Sequence, residues 1–165
     1  MNFPLYISAT NFEEGKTVYF NTGKLIPTLL ASTSVPVLFR PIKYDGKMLL
    51  DGGILNNLPV EPFLDGKLPI VGVHVNPVQT VAIITSAMRI MERSFNLAVY
   101  SNVIERKKKC TLVIEPPALS DYSVYAYSKA DEIFKIGFDY AMQQRQEVLA
   151  VLNDFIPSKS IKKSN

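Results

Sequence analysis

The stretch "MLLDGGILNNLPV" at residues 48–60 poses the question on which the fold turns. An apolar run ends in Asp51, Gly52 and Gly53, and Asn56, Asn57 and Pro59 follow before apolar residues return. Glycines without Cβ atoms let the chain turn sharply and let another backbone or a substrate approach closely. An aspartate placed just before that break is held by the strand and faces the strand-end crevice. There it can orient or deprotonate a hydroxyl within hydrogen-bond reach. Asn56 and Asn57 offer amide hydrogen bonds that fix the loop or the carboxylate. The plainer reading is turn chemistry, in which Asp51 only caps a loop. The triplet alone does not choose between the two.

Outward from this stretch, the chain alternates strands and helices. "PLYISAT" (residues 4–10) and "TVYFN" (residues 17–21) read as strands at hairpin distance across the turn "NFEEGK". "LIPTLLASTSVP" (residues 25–36) reads as a buried helix of small residues, with Pro27 tolerated in its first turn and Pro36 stopping it. "LPIVGVHVNP" (residues 68–77) is nearly continuous in apolar residues, as in a strand covered on both faces. Residues 80–109 have a helical pattern ending in "ERKKK", and "TLVIEPP" (residues 111–117) is a second buried strand closed by prolines. "SDYSVYAYS" (residues 120–128) is a tyrosine-rich loop, and residues 129–155 form one amphipathic helix. This order predicts a three-layer α/β/α domain with a mostly parallel sheet, spanning residues 1–157 without an internal boundary. Residues 158–165 are expected to be a flexible tail. In such sheets working residues gather at the carboxyl ends of strands, which is where Asp51 falls.

Composition narrows the function. The 165 residues are 47% hydrophobic and 20% charged, a balance that supports a packed core rather than disorder. A net charge of +3 is too mild to point to nucleic acid. One cysteine, Cys110, and one histidine, His74, supply neither a disulfide framework nor a multi-histidine metal site. The start "MNFPLYISATNFEEGK" has no basic stretch followed by an apolar core, so it does not read as a signal peptide. No window approaches the ~18 apolar residues of a membrane span. A cytoplasmic or peripherally membrane-associated protein is the expectation.

The wider segment "ASTSVPVLFRPIKYDGKMLLDGGILNNLPV" (residues 31–60) resembles the second half of patatin-like lipid acyl hydrolases. It carries a small-residue helix ending Ala-Ser-x-Ser-x-Pro, a Phe-x-Pro segment, a short strand ending Asp-Gly-Gly, and an Asn-x-Pro-Val loop, in that order. The strand and hairpin of residues 4–23 and the strand of residues 68–77 extend the likeness, which is looser beyond Pro77. The resemblance implies a serine–aspartate dyad without histidine, acting on a lipid or fatty-acyl ester and needing no cofactor or metal. The serine attacks the ester carbonyl, the aspartate accepts its proton, and a glycine-rich loop holds the oxyanion. Asp51 matches the aspartate, with Gly52, Gly53, Asn56 and Asn57 as its supporting loop.

The chain departs from that pattern in one respect. It contains no Gly-x-Ser-x-Gly and no glycine-rich oxyanion loop. Both belong to the first half of the family's domain, so the expected partner is that half, with self-association where it is missing. The alternative is a non-catalytic remnant or an interaction module. Ser32 and Ser34 lack the sharp elbow of a nucleophile and are expected to bond the preceding helical turn. His74 sits inside an apolar strand, where a core histidine is a better account than a triad with Asp51. The basic run "ERKKKC" (residues 105–110) suits a solvated helix C-terminus, and peripheral membrane contact is its second reading. Tyr122, Tyr125 and Tyr127 either line an entrance or pack an ordinary loop.

Overall fold

The computed structural model describes residues 3–80, 85–123 and 126–155. The tail expected at residues 158–165 lies outside the described residues, as does Tyr125. The N-terminal part is a four-stranded sheet of β1 (Ile7–Asn11), β2 (Lys16–Phe20), β3 (Ile42–Tyr44) and β4 (Lys47–Asp51), in the order β2-β1-β4-β3. All three of its pairings are antiparallel. Connection length explains two of them, β1–β2 and β3–β4, because short turns can only return a strand antiparallel to its neighbour. β3 and β4 are joined by Asp45-Gly46, both at positive φ (50° and 72°), the backbone that a tight hairpin requires.

Parallel pairing is found in β5 (Val71–Val73) and β6 (Leu112–Ile114), which form a separate two-stranded sheet. Their connection carries α2 (Ala87–Lys107), long enough to return the chain for a parallel partner. Among the described residues, then, the α/β character expected from the sequence is present, but parallel pairing is confined to this one pair. β5 is shorter than the apolar run of residues 68–77, since its paired residues are those opposite β6. Its Gly72 and His74 are buried, whereas Val73 and Val75 are exposed on the other face. The expectation of a strand covered on both faces is therefore not met among the described residues.

Helix α1 (Leu25–Ser32) packs on the four-stranded sheet. Ala31 meets Ala9 of β1 and Leu49 of β4 in a fully buried cluster, with Val18, Phe20, Ile42 and Tyr44 around it. The small side chains at positions 9 and 31 let helix and sheet approach. Burying a leucine such as Leu49 contributes about 1.5–3 kcal/mol. Buried Thr28 bonds the carbonyls of Lys24 and Leu25, so its hydroxyl does not go unsatisfied. A second cluster joins Leu58 and Val60, just after the Asp-Gly-Gly loop, to Val103 of α2, with Ile70, Tyr100 and Cys110 against it. That cluster holds the loop between sheet and helix.

The single helix expected over residues 129–155 is two: α3 (Ala130–Gln143) and α4 (Arg145–Phe155). Gln144 between them leaves helical geometry (ψ 7°). No helix among the described residues is long and apolar enough to cross a membrane.

Candidate active site

Asp51 is the last residue of β4 and lies opposite Ala9 of β1. Its backbone is clamped from two sides. Its N–H donates to the Ser34 carbonyl at 3.0 Å, and the Thr10 hydroxyl donates to its carbonyl at 2.8 Å. Its side chain turns forward over a short 3-10 turn, Gly52–Ile54, and Oδ1 accepts the Gly53 N–H at 2.7 Å.

The two glycines are explained by close approach. A Cβ on Gly52 would lie 2.5 Å from the Ser8 carbonyl oxygen of β1, and one on Gly53 2.7 Å from Asn57 Oδ1 and 2.9 Å from Asp51 Oδ1. Real Cβ atoms do not come that close, so Gly52 lets the loop lie on the sheet and Gly53 lets the Asp51 carboxylate fold back over it.

The half-buried carboxylate lines a cavity of about 360 Å³ walled mainly by Val35, Pro36, Leu38, Phe95 and Val99. Asn57, Asn76, Glu92 and Tyr127 also line it, and no lysine or arginine does among the described residues. Burial raises the Asp51 pKa above its usual 3.8, and the Gly53 hydrogen bond works against that rise. A half-buried carboxylate without a cationic partner in its cavity has the environment of a proton acceptor.

Asn56 and Asn57 do different jobs. Asn56 is 1% exposed. Its amide donates to the Tyr19 hydroxyl and to Glu61 Oε2, both at 2.7 Å, and its Oδ1 accepts the Leu58 N–H. Asn57 lines the cavity, and its N–H donates to Asn102 Oδ1 of α2. Glu61, Arg106, Tyr19 and Asn102 were not legible as site residues, because the bonds of Glu61 to Tyr19 and to Arg106, and of Asn102 to Asn57, span forty residues or more of sequence.

The other candidates are placed elsewhere. Ser34 is buried, with its hydroxyl donating to the Leu30 carbonyl at 2.5 Å, and its own carbonyl holds Asp51. Ser32 is the half-buried last residue of α1. His74 is 2% exposed and pairs through Nδ1 with Glu115 Oε1 at 2.7 Å, not with Asp51. Burial lowers the His74 pKa although Glu115 opposes this. Burial also disfavours the Glu115 carboxylate, but hydrogen bonds from Lys107 and His74 outweigh it and keep its pKa low. The basic run is less of a surface patch than its composition suggests. Arg106 pairs with Glu61, Lys107 with Glu115, and only Lys108 makes an exposed pair, with Glu105. Tyr122 donates to Glu132, while exposed Tyr127 lines both the Asp51 cavity and a larger one of about 670 Å³ beside α3. Cys110 is half-buried, and burial pushes its thiol pKa up.

The family model described as patatin-like phospholipase matches residues 3–64, the segment that builds the sheet, α1 and the Asp51 loop. Over that segment the chain is similar to the patatin-like phospholipase family. The chain is 28% identical to lysophospholipase NTE1 of Meyerozyma guilliermondii over 163 residues, covering 82% of the chain and 11% of that protein. It is 25% identical to lysophospholipase nte1 of Neurospora crassa, covering 96% of the chain and 12% of that protein. An uncharacterized NTE family protein of Mycobacterium bovis is 41% identical over 59 residues, 36% of the chain and 16% of that protein. The chain thus spans about a tenth of the length of the lysophospholipases it matches.

Proposed function

We propose that this chain contributes the proton-accepting half of a lipid acyl-ester hydrolase active site, with Asp51 as the base. The observation that carries the reading is Asp51 itself. It ends β4, one oxygen is tied to Gly53 N–H, and the carboxylate opens on an apolar cavity of about 360 Å³. That cavity suits an acyl chain more than a charged headgroup. The relatives' name, lysophospholipase, points to the same substrate class.

In this reading the attacking serine lies outside the 165 residues, in the half that would carry Gly-x-Ser-x-Gly. Its Oγ forms a bond to the ester carbonyl carbon as its proton passes to Asp51 Oδ2. Oδ1 stays hydrogen-bonded to Gly53, which fixes the direction of Oδ2. The proton then goes to the departing alkoxide, leaving an acyl-serine that water cleaves by the same base. Residues 1–157 are part of one patatin-like α/β domain, and strands from the remaining half complete a three-layer, mostly parallel sheet around β5 and β6. The exposed apolar residues support this: Ile26 and Leu30 on α1, Val73 and Val75 on and beside β5. The chain alone lacks the nucleophile and does not turn over esters.

The test is Asp51→Asn in the intact protein, assayed on a lysophospholipid and on a short-chain p-nitrophenyl ester. A fall in kcat of at least about 100-fold, with the circular-dichroism spectrum unchanged, is expected. Turnover within about threefold of wild type, well short of a general-base contribution, would refute the base assignment.

A further inference from the structure

Four side chains from three parts of the fold converge on the loop behind Asp51. Arg106, on the last turn of α2, donates from Nε to Glu61 Oε1 at 2.7 Å and from Nη1 to the Asn102 carbonyl at 2.5 Å. Glu61 Oε2 accepts from the Tyr19 hydroxyl of β2 at 2.8 Å and from Asn56 Nδ2 at 2.7 Å. The Asn56 N–H in turn donates to the Gly52 carbonyl at 2.9 Å. Asn102, one turn before Arg106, holds the same loop from outside: Oδ1 accepts the Asn57 N–H at 3.3 Å and Nδ2 donates to the Ile54 carbonyl at 3.4 Å. Between these anchors lies Gly53, whose N–H reaches Asp51 Oδ1.

We infer that Glu61 and Arg106 are positioning residues for Asp51: their ion pair, joined to Tyr19 and Asn56, locks the loop of residues 52–58 so that the Gly53 N–H holds the carboxylate in its working orientation. The inference rests on the assignment of Asp51 as base. Three features support it. The pair is partly withdrawn from water, with side chains 20% and 32% exposed, so its geometry is not that of a loose surface contact. Both carboxylate oxygens of Glu61 are engaged, so the side chain has one orientation. The network ends on the loop, through Asn56 and Asn102, rather than in either apolar cluster. Burial disfavours the Glu61 carboxylate, but its hydrogen bonds from Asn56, Tyr19 and Arg106 outweigh this and hold its pKa at about 2. Glu61 is therefore ionised at neutral pH. Glu92 and Tyr127 are the other ionisable groups lining the Asp51 cavity, and neither belongs to the brace.

A positioning role acts through Asp51, and this separates it from a purely structural one. Glu61→Gln and Arg106→Gln are made in the intact protein, each alone and combined with Asp51→Asn, and assayed on a soluble p-nitrophenyl ester. Alone, each is expected to lower kcat by about 10- to 100-fold, the cost of a small misplacement of a catalytic group, with KM within about twofold. The acid limb of the kcat–pH profile is expected to move to higher pH, since the Gly53 N–H that favours ionised Asp51 is no longer held. Combined with Asp51→Asn, each is expected to add no further loss. Unchanged kcat and an unmoved acid limb in a folded variant would overturn the inference. So would an equal loss with and without Asp51, because the effect would then be on the fold alone. Should a charge variant fail to fold, Tyr19→Phe replaces it, removing one hydroxyl and no charge. An acid limb moved upward supports the inference, and an unmoved one overturns it. If Asp51→Asn alone keeps its turnover, the base assignment falls and the positioning role falls with it.

Discussion

Gly52 offers the sharpest test of why the strand ends in two glycines. In Gly52→Ala the new Cβ would sit 2.5 Å from the Ser8 carbonyl oxygen, 2.6 Å from its Oγ and 2.9 Å from its carbonyl carbon. An ordinary contact begins near 3.4 Å, so loop and strand must separate by about 0.9 Å. The Oγ can rotate away, but the carbonyl belongs to β1, which is paired on both sides by β2 and β4. Overpacking of this kind costs about 1–3 kcal/mol. At about 2–4 °C per kcal/mol for a domain of this size, the melting temperature should fall by about 2–12 °C. Gly137 is the control, because a Cβ there meets nothing within 4 Å and the residue lies inside α3. Gly137→Ala should stabilise by about 0.5–1 kcal/mol through helix propensity. Differential scanning fluorimetry of the two variants beside wild type, with ester turnover on the same samples, reads both effects. A Gly52→Ala protein melting within about 1 °C of wild type, less than the smallest shift such overpacking allows, would refute the close-approach account of the doublet.

Other outcomes follow from the same geometry. Val37, a β-branched residue at φ 75° on the rim of the Asp51 cavity, is strained, so Val37→Gly should stabilise by about 1 kcal/mol in a thermal melt. Turnover should fall on the acid side through a pKa above the usual aspartate value of 3.8, because burial raises Asp51 and the base must be ionised; a kcat–pH profile checks this. A raised folded pKa also means that the contribution of Asp51 to stability is fully present below its unfolded pKa and lost as pH rises through the folded one. Asp51→Asn should therefore raise the melting temperature at neutral pH while abolishing turnover. Glu61 has the opposite sign: held down to about 2, it stabilises above its usual 4.5 and loses that contribution as pH falls toward 2, so acid titration of Glu61→Gln should show a flatter stability profile between those values.

What the sequence disclosed is what short-range chemistry encodes. The strand ending at Asp51 and the seating of Ser34 on the preceding helical turn follow from local pattern and turn residues, whereas the buried helix expected over residues 25–36 ends already at Ser32 and leaves Ile26 and Leu30 exposed. The antiparallel return of β3 to β4 was also written there, in the Asp45-Gly46 pair, but the helix–strand alternation around it suggested a parallel sheet instead. The brace behind Asp51 could not be read, because Arg106 meets Glu61 across forty-five residues and Tyr19 meets it across forty-two. From the sequence alone Arg106 and Lys107 look like two cations of a solvated helix end. Folding turns both inward to acids that only the tertiary structure brings near. His74 gave its burial away by its apolar neighbours, while its partner Glu115 lies just beyond the next strand of the sheet.

The central claim is that Asp51 activates a serine lying outside these residues. Labelling the intact protein with an alkyl fluorophosphonate, which reacts with activated serines, tests it most directly. The modified serine is located by peptide mass spectrometry, and the labelling rate is compared between wild type and Asp51→Asn. The account predicts one modified serine outside residues 1–165 and a labelling rate at least about 100-fold slower in the variant. Modification of Ser32 or Ser34, or a rate that Asp51→Asn leaves unchanged, would contradict it.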